Sequence, residues 1–162
     1  MTQQSYLTAA EATELLTNTI GAESWLSLTE PNKNASLIQA SFLLDSNFDW
    51  LGSITDQAQE LRWPRTGVVD KDNRQIPSNA VPNLIKYATA LMALHLTKAG
   101  GISTVTTNLK SLKVGPISLS MDSDESITSQ VVPKMVVSLI NSLGFYTGLS
   151  DNSTAYNVQV LR

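Results

Sequence analysis

The chain contains no cysteine, a single histidine and few charged or aromatic side chains. The absence of cysteine excludes disulfides, thiolate metal ligands and cysteine nucleophiles. One histidine, His95, cannot assemble the usual zinc ligand sets, and a packed or surface histidine is its favoured interpretation. No apolar run approaches the roughly 20 residues of a membrane span. We therefore expect no membrane partner, and with no signal peptide evident at the amino terminus we expect synthesis in a cytosolic compartment.

Catalytic and nucleotide-binding signatures are also missing. The chain has no G-x-x-x-x-G-K-[ST] phosphate loop, no G-x-G-x-x-G dinucleotide turn and no G-x-S-x-G nucleophile turn. Candidate general bases are few, and the acidic run Asp122 to Ser126 lacks the glycine and the closing glutamate of a calcium loop. We expect a protein without enzymatic activity, metal or cofactor, and a small enzyme is the remaining alternative.

The surface is polar but weakly charged. Charged residues make up 15% of the 162 residues and apolar residues 42%, against about a quarter charged in typical domains. Residues 1–59 carry a net charge of -6, residues 60–100 of +3, and residues 101–162 of zero. The basic middle segment could face an acidic partner, or the first two segments could neutralise each other. Low charge also suits packing against neighbouring chains.

Apolar residues at helical spacing predict a mainly α fold in which a small helical bundle occupies residues 1–100. Thr8 and Glu11 form a capping box at the first helix, which Gly21 is expected to end. The third helix is expected to be buried on most sides, with Ile38 and Phe42 in the core. The predicted helical segments are 8–20, 23–28, 29–45, a short one within 53–62, and 83–99, followed by 132–143.

Residues 101–162 have a different character. Ile117, Leu119 and Met121 alternate with serines, and Gly115-Pro116 lies between two apolar segments, so a β-hairpin or a pair of extended arms is predicted. The last helix ends at Gly144, and the tail alternates Tyr156, Val158 and Val160. This second region is therefore a hairpin or arm, a helix and an extended tail, whose exposed apolar strand suits pairing with another chain.

The most informative motif is Trp63-Pro64-Arg65. Trp63 is a large apolar anchor, Pro64 restricts the backbone on both sides of their bond, and Gly67 permits a left-handed turn. With its flanking segments the motif resembles the signature of small phage head-to-tail adaptor proteins, relatives of which often carry the label "DnaT-like single-stranded DNA binding protein". The segments that carry this resemblance are Tyr6 to Ala12, Trp25, Ala35 to Ala40, Trp50-Leu51-Gly52, Gln59 to Gly67, Ile76-Pro77 and Val81-Pro82, with Asn73 where the pattern has glycine.

The resemblance implies a structural adaptor in the neck of a virion, assembled in the host cytoplasm. It would form a homo-oligomeric ring of about twelve copies beneath the portal protein, hold a tail or nozzle protein, and let double-stranded DNA pass without specific binding. The residues assigned to portal, tail or subunit contacts are Leu109, Leu112, Ile117, Leu119, Met121, Tyr156, Val158 and Val160. Those assigned to holding the fold and the subunit wedge are Trp50, Trp63, Pro64 and Arg65.

The alternative is a DnaT-like protein that binds single-stranded DNA in replication. Arg62, Trp63 and Arg65 interleave an aromatic ring with two cations, a pattern typical of single-strand binding. This alternative predicts salt-sensitive binding to oligonucleotides that is lost on Arg62→Ala or Arg65→Ala. Against it, Arg65 could instead bond carbonyls at a helix end or pair with Asp49 or Asp56.

Overall fold

The computed structural model describes residues 5–98 and 132–148, together with the backbone of two short strands at 112–114 and 117–119. The predicted mainly α fold with a small antiparallel hairpin is confirmed. In chain order the elements are α1 Ala9–Leu16, α2 Glu23–Leu26, α3 Glu30–Asn47, β1 Phe48–Trp50, β2 Ser53–Ile54, β3 Arg65–Thr66, α4 Asn83–Lys98, β4 Leu112–Val114, β5 Ile117–Leu119, α5 Lys134–Ile140 and β6 Gly144–Tyr146.

Helix α4 is the centre of the helical core. It contacts α1, α2, α3 and α5, and every residue from Ala88 to Leu94 is buried. A helix that is apolar around most of its circumference needs neighbours on most sides, and the small residues Ala88, Ala90 and Ala93 let these helices approach closely. His95 lies on its exposed side.

The capping box at the start of α1 forms as predicted and is joined to α4. The Glu11 amide donates to Thr8 Oγ1 at 3.2 Å, and the Thr8 amide donates to Glu11 Oε2 at 2.8 Å. Lys86 Nζ donates to the other carboxylate oxygen at 2.7 Å. The Lys86 ammonium, and then the Thr8 amide, lower the pKa of Glu11 from 4.5 to about 2. An acid of the first segment thus neutralises a base of the middle segment.

The lowered pKa of Glu11 predicts part of the loss of stability of the protein at acid pH. Because the pKa of Glu11 is lower in the folded state, its contribution to stability is complete above about 4.5 and is lost as the pH falls towards about 2. We expect Glu11→Gln to flatten the decline in the free energy of unfolding across that window, measured by urea titrations at a series of pH values. Glu14→Gln, an exposed acid on the same helix, is the control and should keep the wild-type slope; equal slopes for all three proteins would contradict the linkage.

Two small antiparallel sheets join the loops to this core. β1 pairs with β6 in the register Phe48↔Tyr146, Asp49↔Phe145 and Trp50↔Gly144. β2 pairs with β3, with Ile54 opposite Arg65. Gly144 therefore starts a strand, where it was predicted to cap the last helix. A Cβ at this position would lie 2.9 Å from Trp50 Cε3 and from the Asp49 carbonyl oxygen, so close backbone approach accounts for the glycine.

The helix predicted within residues 53–62 is wrong. The segment is β2 followed by turns. Asp56 Oδ1 accepts from the Ala58 amide at 2.9 Å, and Gln59 bonds the Asp56 amide, the Leu61 carbonyl and the Pro64 carbonyl through its side chain. Side chains that bond nearby backbone groups compete with helical hydrogen bonding, and here they hold the turn that leads into Trp63.

The bounds of two other helices also differ from those predicted. α1 ends at Leu16, and Ile20, predicted to continue its apolar face, is 99% exposed. Pro82 precedes α4, and its carbonyl accepts from the Ile85 and Lys86 amides. Pro133 likewise precedes α5, which begins two residues later than predicted and ends at Ile140.

The second region contributes to both the core and the hairpin. β4 and β5 pair with Leu112 opposite Leu119 and Val114 opposite Ile117, which agrees with the predicted hairpin. α5 contacts α4, and β6 pairs with β1. The division of the chain at residue 100 stays a prediction, and the predicted C-terminal tail lies outside the described residues. None of the helices described is both long and apolar enough to cross a bilayer.

Candidate nucleic-acid interface

The Trp63-Pro64-Arg65 turn packs into an aromatic cluster. Trp63 is 2% exposed and meets Trp50 edge to face, with ring centroids 5.9 Å apart. Trp50 in turn stacks on Phe48 at 5.1 Å. The Trp63–Pro64 peptide bond is cis. The ring that the alternative interpretation offered for stacking on bases therefore lies in the core, where a nucleobase cannot reach it.

The guanidinium of Arg65 is directed at backbone carbonyls. It donates to the carbonyls of Leu51 at 2.6 Å, Gly52 at 2.7 Å, Arg62 at 3.2 Å and Trp50 at 3.3 Å. Burial, and then the positive charge of Arg62, lower the pKa of Arg65. The expected contact with carbonyls is correct, although these carbonyls lie at the end of β1, in the turn after it and at Arg62, and not at a helix end. Arg65 is committed to the fold and is not free to bind phosphate.

Predicted ion pairs of Arg65 with Asp49 or Asp56 do not form within the described part of the chain. Both acids lie on the exposed surface. Four hydrogen bonds to backbone carbonyls hold the guanidinium of Arg65 inward. The acidic residue that contacts this turn is instead Asp45, which accepts from the Arg62 amide.

Asp45, near the end of α3, joins three parts of the molecule. Its Oδ1 accepts from the Tyr6 hydroxyl and, at 3.0 Å, from Trp50 Nε1, while Oδ2 accepts from the Arg62 amide at 3.1 Å. Burial raises the pKa of Asp45 above its usual value, and the three hydrogen bonds oppose that rise. Burial, and then the Asp45 charge, raise the pKa of Tyr6. This carboxylate fixes the amino-terminal segment and the turn against α3.

An open groove of about 940 Å³ lies between α3 and the turn at residues 60–62. Within it Phe42 is 68% exposed and Ile38 is 42% exposed. The α3 residues are spaced so that they form one stripe along the helix. We call this feature the α3 groove; its lining residues are Ala35, Ile38, Gln39, Phe42, Asp45, Ser46, Glu60, Leu61 and Arg62.

The α3 groove corrects the prediction that α3 is buried on most sides. Leu37, Ala40, Leu43 and Leu44 form its buried face, whereas Ile38 and Phe42 face solvent. In the sequence, the apolar residues of α3 cover a wider part of the helix circumference than one core-facing side requires. Such an arc has two explanations, burial on several sides or an exposed apolar stripe, and the spacing of residues cannot choose between them.

Arg62 is the cation at this groove, and its side chain is exposed. Three other cations of the middle segment are engaged: Arg65 by carbonyls, Arg74 by two neighbouring carboxylates at 2.8 and 3.1 Å, and Lys86 by Glu11. Sequence reasoning grouped Arg62 and Arg65 as equivalent binding residues. The structure separates them into a surface cation and a buried structural one.

The residues predicted to contact portal, tail or neighbouring subunits are only partly described. Leu112, Ile117 and Leu119 lie in the β4–β5 hairpin, whose backbone alone is described. Leu109, Met121, Tyr156, Val158 and Val160 lie outside the described residues. Among described residues no group of three or more histidine or acidic side chains could hold a metal ion.

The fold and the groove define a small helical protein with an aromatic side chain and a cation exposed on one open surface. A family model described as "Putative DnaT-like ssDNA binding protein" matches residues 2–162. The chain therefore belongs to this family. No curated protein and no solved structure matches it.

This match overturns the phage adaptor interpretation. It covers nearly the whole chain and describes single-stranded DNA binding, and no adaptor family matches. The predicted virion neck role, the ring beneath a portal, the tail or nozzle partner and the passage of double-stranded DNA without specific binding are wrong. The resemblance of these motifs to an adaptor signature was wrong. Trp63, Pro64 and Arg65 encode a turn, and a turn does not specify a partner.

Proposed function

We propose that this protein binds single-stranded DNA and that the α3 groove is where it does so. The observation that carries the proposal is the family match over residues 2–162. The groove supports it because single-strand binding requires a ring on which bases stack and a cation beside it for the phosphates. Phe42 and Arg62 supply these on the same surface.

Phe42 is the stacking platform. A phenylalanine side chain that is 68% exposed leaves apolar area in water, and a nucleobase placed on its face would remove that area from solvent. Ile38, one helical turn earlier, extends the apolar surface. Stacking of this kind is sequence-tolerant, since every base has a π-face.

Arg62 contacts the backbone of the strand. Its amide donates to Asp45 and its carbonyl accepts from Arg65, which fixes its backbone. Its side chain is exposed, and no salt bridge joins it to another residue in the part of the chain that the structure describes. The Asp45 and Glu60 carboxylates on the same groove disfavour a nearby phosphate. The phosphate is therefore expected on the Arg62 side and the base over Phe42.

We further propose that the activity is binding without catalysis. The absence of a catalytic signature in the sequence supports this, as does a family description that refers only to binding. Binding and its modulation by salt are then the properties to measure.

We expect Phe42→Ala to weaken binding of a fluorescently labelled single-stranded oligonucleotide by about tenfold or more, because base–aromatic stacking contributes about 1–3 kcal/mol per base. Arg62→Ala should weaken binding at low salt and should reduce the steepness of the slope of log K against log salt by about 0.7, the value for one phosphate contact on a single strand.

Fluorescence anisotropy across a salt series measures the affinity of both variants and the salt dependence of Arg62→Ala.

Matched controls are available on other surfaces. Phe145→Ala removes a phenylalanine that is 65% exposed on β6, and Lys71→Ala removes an exposed cation in the loop before α4. Both should bind as the wild type does. If the control and groove variants weaken binding equally, the α3 groove is the wrong site; if the wild-type chain binds no oligonucleotide, the proposed function is wrong.

A further inference from the structure

A second depression continues the α3 groove along the same helix. It has a volume of about 400 Å³ and lies where α3 faces the last turn of α4. Ala35 and Gln39 line both features, so the two are continuous. We call the second feature the polar depression; its other lining residues are Leu28, Asn32, Ser36, Leu96 and Thr97.

One stripe of α3 runs through both features. Asn32, Ser36, Gln39 and Phe42 follow one another at intervals of three or four positions, and residues spaced in this way lie on one side of a helix. Asn32 and Phe42 are ten positions apart, which at a rise of about 1.5 Å per residue is about 15 Å along the helix axis. Stacked nucleotides are about 3.4 Å apart along a strand, so the stripe has room for roughly four of them.

The chemistry of the polar depression suits a nucleic-acid backbone. None of the described residues that line it is charged, so no carboxylate of its lining repels a phosphate. The Ser36 hydroxyl donates to the Asn32 carbonyl and the Thr97 hydroxyl to the Leu94 carbonyl, both at 2.8 Å. The side-chain amides of Asn32 and Gln39 make no hydrogen bond within the described part of the chain, which leaves their N–H groups to donate. Amide and hydroxyl side chains are common partners of phosphate and sugar oxygens.

From this arrangement we infer that a single strand bound at the α3 groove continues along α3 into the polar depression, over roughly four nucleotides. The inference rests on the proposed function and extends its site. Phe42 and Arg62 hold one end of the bound segment, Asn32 contacts the other, and Gln39 contacts the strand between them. Contacts to phosphate and sugar carry no base preference, so the extension adds affinity without sequence selection.

The test introduces a charge at Asn32 and compares strands of two lengths. Asn32→Asp keeps the shape of the side chain and places an acid in the first turn of α3, where negative charge is tolerated. Its distance of about 15 Å from Phe42 exceeds the Debye length of about 8 Å at 0.15 M salt. A trinucleotide held at Phe42 and Arg62 is therefore screened from the new charge, whereas a nonanucleotide places a phosphate beside it.

We expect Asn32→Asp to weaken binding of a labelled thymidine nonanucleotide about fivefold more than binding of the trinucleotide, measured by fluorescence anisotropy at 0.15 M salt. Each ratio compares wild type and variant on the same strand, so the larger number of binding registers on the longer strand cancels. Asn32→Lys should have the opposite effect and should steepen the slope of log K against log salt by about 0.7 for the nonanucleotide. Tighter binding by that variant cannot result from loss of the fold.

Asn34 provides the matched control, because it is exposed on the same helix and lines neither feature. Asn34→Asp and Asn34→Lys should bind both strands as the wild type does. Equal effects of the Asn32 and Asn34 variants, or equal effects of Asn32→Asp on the two strand lengths, overturn the extended path and leave single-strand binding intact. Failure of the wild-type chain to bind either strand overturns the proposed function, and the extended path with it.

Discussion

Replacing Arg65 with alanine is expected to lower the free energy of unfolding by about 4 kcal/mol. A hydrogen bond to a charged group contributes about 1.5–3 kcal/mol, and leaving the buried Trp50 carbonyl unpaired adds its own cost. The guanidinium is the common donor to Trp50, Leu51, Gly52 and Arg62. Without it, the turn after β1 and the turn before β3 lose the group that ties them together. Urea denaturation followed by tryptophan fluorescence measures the change.

Two further variants test this explanation. Arg65→Lys keeps the charge but replaces a planar fork with a point donor, and we expect it to recover only part of the lost stability. Arg62→Ala removes an exposed side chain and keeps the backbone groups that bond Asp45 and Arg65, so its stability should stay within about 0.5 kcal/mol of the wild type. A wild-type denaturation midpoint for Arg65→Ala would show that the carbonyl bonds contribute nothing net.

The second large effect is expected at Gly52, in the same turn. Gly52 has φ +68, and a Cβ there would collide with the Thr66 carbonyl oxygen and lie 2.7 Å from Val68 Cγ2. Left-handed backbone costs a non-glycine residue about 1–2 kcal/mol, and forcing atoms into a packed site adds about 1–3 kcal/mol. We therefore expect Gly52→Ala to destabilise the protein by about 3 kcal/mol or more in the same urea assay.

Gly67 provides the matched control. It also has a left-handed backbone, with φ +75, but nothing lies within 4 Å of its added Cβ. Gly67→Ala should therefore show only the conformational cost, about 1–2 kcal/mol. If the two variants are equally destabilised, the close contacts of the added Cβ with Thr66 and Val68 cost no free energy, which would contradict this explanation of Gly52.

The surroundings of Trp63 and Arg65 explain why the Trp63-Pro64-Arg65 motif is a poor guide to binding. The motif brings an aromatic ring and a cation together, which is also what a single-strand interface requires. In this fold the ring packs on Trp50 and the cation bonds carbonyls. The surface pair that could serve binding, Phe42 and Arg62, comes from segments twenty positions apart. No local pattern connects them, because they meet only after α3 and the 60–62 turn have packed.

Local chemistry was sufficient to predict most of the helices and to exclude the chemistry of cysteine. The capping box of Thr8 and Glu11, Pro82 before α4 and the apolar period of α4 determine helices by interactions within a few residues. Tertiary structure alone decided which apolar and charged side chains remain at the surface. Exposure of Phe42 and burial of Arg65 depend on partners distant in the chain, and sequence spacing contains no information about whether such a partner covers a side chain.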